Sequence, residues 1–187
     1  MPGPEGHGTL SGMPVLLALL GCHTLDDVPL LAAEHCKPPE EHTVVRVLDG
    51  DTIQLDDCDG IEVRLLGVSA PEVVHDVPDA CIPDPRAGVG ETDQCFGPEA
   101  RTWMDELLTG RQVRISYDAT CTDRYGRTLA YVHLLGEEGD LFVNEAIIRQ
   151  GYAEVYEAFD DILLADVLYS AQDAAQAERA GKWAVCE

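Results

Sequence analysis

Positive charge is scarce in this chain. Twelve basic residues stand against 35 acidic ones in 187 residues, a formal net charge of −23. Only Lys37 and Lys182 are lysines; the other ten basic residues are arginines. Such a surface is soluble and self-repelling, and taken as a whole it repels polyanions. Nucleic acid is therefore a partner only where arginines gather locally. Long apolar runs are lacking as well. The stretch MPVLLALLGC, residues 13–22, is too short to span a bilayer, which takes about 20 apolar residues. No Cys-x-x-Cys and no closely spaced histidine pair occurs, which argues against a structural zinc site. No internal repeat or low-complexity block is present.

Apolar residues make up 45% of the chain, enough for a real core and one compact domain. The run at 13–22 suits the hydrophobic part of a secretory signal. Leu19-Leu20-Gly21-Cys22 is similar to the lipobox of bacterial lipoproteins, in which the cysteine is acylated and becomes the mature N-terminus. The match departs in two ways: no Lys or Arg precedes the run, and Leu20 is bulky. We expect residues 1–22 to be a signal or lipobox-like segment, 23–41 a tether, and 42–187 the folded domain. The chain is expected to be exported, as a cell-envelope lipoprotein anchored through Cys22 or as a secreted protein. Cysteine usage agrees. Setting Cys22 aside leaves Cys36, Cys58, Cys81, Cys95, Cys121 and Cys186, an even number suited to three disulfides in an oxidising compartment. Cys81 and Cys95 flank one Pro/Gly/Asp-rich loop, so they are the first pairing expected.

From His42 onward the pattern sharpens. TVVRVLDG and DTIQLDD read as strands meeting at Asp49-Gly50, and GIEVRLLGV as a third. Residues 73–96 read as an extended loop. A helix follows, with Pro98 in its first turn, Gly110 at its end, and Ala100, Trp103, Met104, Leu107 and Leu108 as its core stripe. QVRISYD and TLAYVHLL are two more strands, and FVNEAIIRQG a short helix. Residues 161–180 form a last helix with Leu164, Val167, Leu168, Ala171 and Ala175 inward and Gly181 as its stop. Strands in meandering groups with segregated helices indicate α+β, and five short strands suit a small closed barrel such as the OB-fold.

Three motifs carry chemistry. Asp49-Gly50-Asp51-Thr52 places carboxylates at a strand start, where they can hold a hard divalent cation. In RLLGVSAPE, residues 64–72, Arg64 opens a strand and a Pro71-stiffened turn delivers Glu72. An arginine fork matches phosphate oxygens, and a glutamate can take a proton from water. TDRYGRTLAY, Thr122 to Tyr131, offers a turn, a second arginine at Arg127, and an aromatic ring at Tyr125 able to stack on a base.

Together, and in this order, the three resemble the staphylococcal nuclease (thermonuclease-like) family. FGPEA and VNEAIIRQGYA match further, and the resemblance spans residues 43–184. It implies a five-stranded OB-fold barrel with three helices, working as a monomer. It also implies calcium-dependent cleavage of DNA and RNA at the 5′ P–O bond, leaving 3′-phosphate ends. By the same resemblance, Asp51 is a calcium ligand and Glu72 positions or deprotonates the attacking water. Arg64 and Arg127 grip the scissile phosphate. Tyr125 lines the nucleotide pocket, with Arg124 where the family has a lysine.

Ser69 departs from the family's pattern, which has a calcium-binding aspartate there. The next ligand is a main-chain carbonyl, which Ala70 can supply. One carboxylate fewer predicts weaker calcium binding or another divalent ion, unless Asp49 or a loop acid such as Asp76 or Asp79 substitutes. A second function class follows from Ser69 and the acidic surface: a catalytically weakened OB-fold module that binds nucleic acid or a protein partner. The presence of Asp51, Arg64, Glu72 and Arg127 together opposes it, since a binder needs neither a base nor two phosphate clamps. His75 and His133 are read as incidental, and Tyr156 and Phe159 as either packing or an extension of the nucleotide surface.

Overall fold

Three antiparallel strands open the domain: β1 (Glu40–Asp49), β2 (Thr52–Leu55) and β3 (Glu62–Leu65). In this computed structural model the residues described are 36–57, 60–74, 93–159 and 161–186. The predicted lipid site Cys22, together with Cys58, His75, Asp76, Asp79 and Cys81, lies outside them, as does the apolar run at 13–22. Next come β4 (Val68–Ser69), α1 (Gly97–Leu108), β5 (Gln112–Ser116), β6 (Thr128–Leu134) and β7 (Leu141–Phe142). The chain finishes with α2 (Val143–Arg149), β8 (Glu154–Val155), α3 (Ala165–Glu178) and the four-residue α4 (Lys182–Val185).

β1 is long and bent, and that lets one strand serve two neighbours. Its first half pairs with β5 (Glu40↔Ile115 to Thr43↔Gln112) and its second half with β2 (Val44↔Leu55 to Asp49↔Thr52). Register shifts between Val44 and Arg46 and between Val47 and Asp49 mark the bends, as bulges do where a sheet must curl. The strand order is β3-β2-β1-β5-β6-β7, and a parallel pairing of β3 with β6 closes the circle. The result is the expected five-stranded mixed barrel of OB-fold type, with three main helices outside it. The sheet takes in Glu40 and Glu41, ahead of His42, and Cys36 is already bonded to Cys121.

Alternation fills the barrel. Val44, Ile53, Leu55, Val63, Leu65, Val113, Ile115 and Val132 are fully or almost fully buried. Helices cap this core with Met104 and Leu108 from α1, Ile147 and Ile148 from α2, and Leu168 from α3. Each such side chain contributes about 1.5–3 kcal/mol of burial. Asn144 ties α2 to the barrel: its Oδ1 accepts the Val132 N–H at 2.9 Å and its Nδ2 donates to the Leu66 carbonyl at 2.9 Å. Gly50 is dictated by space, since a Cβ there would lie 2.6 Å from the Cβ of Ala70.

Some expectations need correction. Cys95 pairs with Cys186, not with Cys81, and the second described disulfide is Cys36–Cys121. Local loop closure favoured the wrong partner, because the C-terminal helix folds back over the loop's exit. Val167 is 38% exposed and leaves the core stripe of α3, whose buried positions are Leu168, Ala171 and Ala175. That helix ends at Arg179, in the left-handed region with φ 54°, ahead of Gly181, which opens α4. The two-residue strands β4 and β8 gave no periodic signal. Among the described residues no helix is long and apolar enough to cross a membrane.

Candidate active site

The β1–β2 turn buries two carboxylates side by side. Asp49 is 2% exposed and Asp51 1% exposed. Every oxygen of Asp51 is used. Oδ1 accepts from Arg64 Nη1 and from Thr52 Oγ1, the latter at 3.0 Å, while Oδ2 accepts the Ala70 N–H at 2.8 Å. The Asp51 N–H donates to Asp49 Oδ1 at 3.0 Å. Register explains the pairing: Thr52 lies opposite Arg64 on β3, so the guanidinium projects beside the turn. Burial and the neighbouring Asp49 charge push the Asp51 carboxyl well above the ordinary carboxylate range, against the pull of Arg64 and the Ala70 amide. Asp49 and Asp51 thus form a buried acid pair, with the Arg64 guanidinium on Asp51.

Arg64 Nη2 also donates to the Val68 carbonyl at 3.3 Å. It thereby ties β3 to the segment Val68–Glu72, whose first two residues form β4. β4 pairs with β8, Ser69 opposite Glu154. Ala70 and Pro71 are buried, and Glu72 emerges exposed to solvent.

Arg127 arrives from the far side of the barrel. The β3–β6 pairing sets Val63 against Thr128 and Arg64 against Leu129, so the turn before β6 lies beside β3. Asp123 builds that turn. Its Oδ1 accepts the main-chain N–H groups of Tyr125 at 2.8 Å and Arg127 at 3.0 Å, and its Oδ2 accepts Arg127 Nε at 2.7 Å. With Nε taken, the two Nη groups have no hydrogen-bond partner among the described residues. Burial opposes the Arg127 charge, but Asp123, Glu62 and Asp51 together outweigh it and hold the guanidinium more firmly protonated than usual. Tyr125 is 69% exposed, with the guanidinium carbons of Arg124 and Arg127 at 4.7 and 5.7 Å from its ring centre. Arg124 and Arg127 therefore flank one exposed aromatic ring on an acidic molecule.

The structure thus brings Asp51 and Arg64 into contact, sets Arg127 within electrostatic reach of Asp51, and places Ser69, Ala70 and Glu72 on the segment that Arg64 and Asp51 hold. Asp123 was missed as a positioning group. Its signal was present, an aspartate four residues before an arginine across a Gly turn. Oxygen donors at this turn are the carboxylates of Asp51 and Asp49 and the Thr52 hydroxyl, with Ser69 and Ala70 on the adjoining segment that the Ala70 N–H ties to Asp51. That set suits a hard divalent cation in kind. It is poor in charge: among the described residues no three His, Cys, Asp or Glu side chains converge as a metal cluster.

A family model described as staphylococcal nuclease homologue matches residues 62–185. The chain belongs to the staphylococcal nuclease family. Relatives of this nuclease-family chain include the thermonucleases of Staphylococcus intermedius, 39% identical over 115 residues, and of Staphylococcus hyicus, 39% identical over 116. Each alignment covers 61% of the chain and 58% of the relative, so the chain spans well under two thirds of these proteins. A protein of Escherichia coli named an uncharacterized endonuclease is 32% identical over 141 residues, covering 75% of the chain and 74% of the relative.

Proposed function

We propose that this chain is a metal-dependent endonuclease that hydrolyses phosphodiester bonds of DNA and RNA, leaving 3′-phosphate ends. The observation that carries the reading is the β3–β6 closure, which lays the strand carrying Arg64, bonded to buried Asp51, beside the turn carrying Arg127. In-line attack at phosphorus builds negative charge on the equatorial oxygens. Guanidiniums fixed by Asp51 and Asp123 meet that charge without reorganising, so they stabilise the transition state more than the ground state. Glu72, exposed on a held backbone, orients the attacking water and accepts its proton. The Tyr125 face, flanked by arginines, takes a base by stacking.

Asp51, the Ala70 carbonyl and Ser69 would hold the divalent ion, calcium or another. Such an ion supplies charge neutralisation at the phosphate when bound. With serine at position 69 the affinity is expected to be lower than that of a site with two carboxylates. The same reading has the chain monomeric and exported, either secreted or held at the cell envelope by a lipid on Cys22. Two disulfides suit an oxidising compartment, and mass spectrometry of the mature N-terminus tests the lipid.

The deciding assay is hydrolysis of DNA with calcium, manganese or chelator, beside Glu72→Gln and Arg127→Ala. Cleavage that needs both metal and Glu72, with Arg127→Ala slower by about 10²–10³, supports the enzyme. Retained DNA binding with no cleavage in any metal would overturn it in favour of a binding module.

A further inference from the structure

Glu72 is exposed and follows a proline, so its side chain alone does nothing to fix its place. Its backbone is fixed by one residue from the far end of the loop. Gln94 Oε1 accepts the Glu72 N–H at 3.1 Å, and the Gln94 N–H donates to the Glu72 carbonyl at 2.9 Å. Two residues on, the Val74 N–H donates to Asp93 Oδ1 at 2.7 Å. The Gln94 carbonyl accepts the N–H of Gly97, the first residue of α1, at 3.0 Å. A Cβ on Gly97 would lie 2.6 Å from the Glu72 carbonyl oxygen, so the helix start is seated directly on the Glu72 backbone and only glycine fits.

Gln94 is itself anchored. Its neighbour Cys95 is bonded to Cys186, whose N–H donates to the Lys182 carbonyl at 2.8 Å. Lys182 Nζ meets Glu154 Oε2 at 2.9 Å, and Glu154 pairs with Ser69 across β4 and β8. From Ser69 the chain runs through Ala70 and Pro71 back to Glu72. The contacts close a ring around a cavity of about 380 Å³, with Ser69, Ala70 and Pro71 on one wall and Gln94, Cys95 and Cys186 on another.

We infer that Gln94 is a positioning residue for Glu72, and that the Cys95–Cys186 disulfide is the anchor through which it acts. The inference rests on the reading of Glu72 as the group that handles the attacking water. Gln94 touches no reacting atom; it sets where the Glu72 carboxylate pivots. Displacement by about 1 Å is enough to cost on the order of 10²-fold in rate. Because Gln94 and Glu72 are both exposed, losing the amide contact leaves solvent to satisfy the Glu72 N–H, and the barrel stays folded.

The test compares wild type, Gln94→Ala, Gln94→Glu, Cys186→Ser and Glu72→Gln on double-stranded DNA with calcium. Circular dichroism checks the fold, and amide hydrogen exchange reads Glu72 directly. Gln94→Ala is expected to lower kcat by about 10- to 100-fold with KM within about twofold. Gln94→Glu keeps an acceptor oxygen and is expected to recover kcat to within about threefold of wild type. Cys186→Ser is expected to lower kcat as Gln94→Ala does. The Glu72 amide exchanges faster in both deficient variants, while that of Leu65 is unchanged. Wild-type kcat in Gln94→Ala, or a loss confined to KM, overturns the assignment of Gln94. Wild-type kcat in Cys186→Ser overturns the anchor. If wild type itself cleaves nothing, the functional reading falls, and with it a catalytic use for Gln94. Glu72 amide exchange then still decides whether Gln94 holds that backbone.

Discussion

Asp123→Asn separates geometry from charge at the Arg127 turn. Asparagine keeps an oxygen for the main-chain N–H groups of Tyr125 and Arg127, but it turns an NH₂ toward Arg127 Nε, and two donors face each other. What is lost is one charged hydrogen bond, 2.7 Å long, between a carboxylate 12% exposed and a guanidinium 24% exposed. Hydrogen bonds to charged groups are worth about 1.5–3 kcal/mol. Partial solvent access puts this one near the lower end. A loss of about 1.5 kcal/mol lowers Tm by about 3–6 °C for a domain of this size. The rate suffers more, because Arg127 is released from its pivot, and kcat is expected to fall about 10- to 100-fold.

The pH dependence fixes the mechanism. Burial raises the Asp123 carboxyl, but Arg127 and the two amides lower it more, so its net shift is downward. A depressed carboxylate contributes stability above its unfolded value of about 3.9, and loses it as pH falls through the folded value. The Tm gap between wild type and Asp123→Asn should therefore be constant at neutral pH and shrink as acid titrates the carboxylate. Thermal unfolding from pH 7 to pH 2, followed by circular dichroism, reads it. A gap that persists or widens in acid would refute the ion-pair account.

Ser69→Asp adds a carboxylate beside Ala70 and Asp51, and calorimetric titration should show calcium bound about tenfold or more tightly than by wild type; unchanged affinity would mean Ser69 lies outside the ion's reach. Replacing Cys36 and Cys121 with serine opens a link across 85 residues and should cost about 2–5 kcal/mol in denaturant unfolding. If nucleic acid is the substrate, as proposed, the acidic surface repels it at long range, and that repulsion is muted when the screening length shrinks to about 3 Å at 1 M salt. Cleavage rates measured from 0.05 to 1 M salt (about the usable range) should hold or rise before they fall, and a steady decline from the start would contradict this.

The candidate site could be drawn from the sequence because its residues fall in short contiguous motifs. Asp49 to Thr52, Arg64 to Glu72 and Thr122 to Tyr131 each carry local turn chemistry that survives without knowledge of the fold. The barrel was legible from alternation in β1, β2, β3, β5 and β6. What stayed hidden depends on distant pairing. Nothing local says that Cys95 meets Cys186, or that Gln94 holds Glu72, because each contact joins residues far apart in the chain. β4 and β8 were silent for another reason: two residues cannot display a period. Val167 misled because Leu164, Val167 and Leu168 share helical spacing, while α3 begins only at Ala165 and shows Val167 to solvent.

The parallel seam between β3 and β6 has a consequence for how activity is acquired. Arg64 and Arg127 lie far apart in the chain, and that seam is what sets their segments side by side, so under the proposed function neither segment alone can assemble a phosphate grip. Pairings between such remote segments form late and slowly, since chain entropy must be surrendered before they stabilise anything. On the proposed function, turnover would then report a closed seam: a molecule whose β3 and β6 have not paired would not cleave.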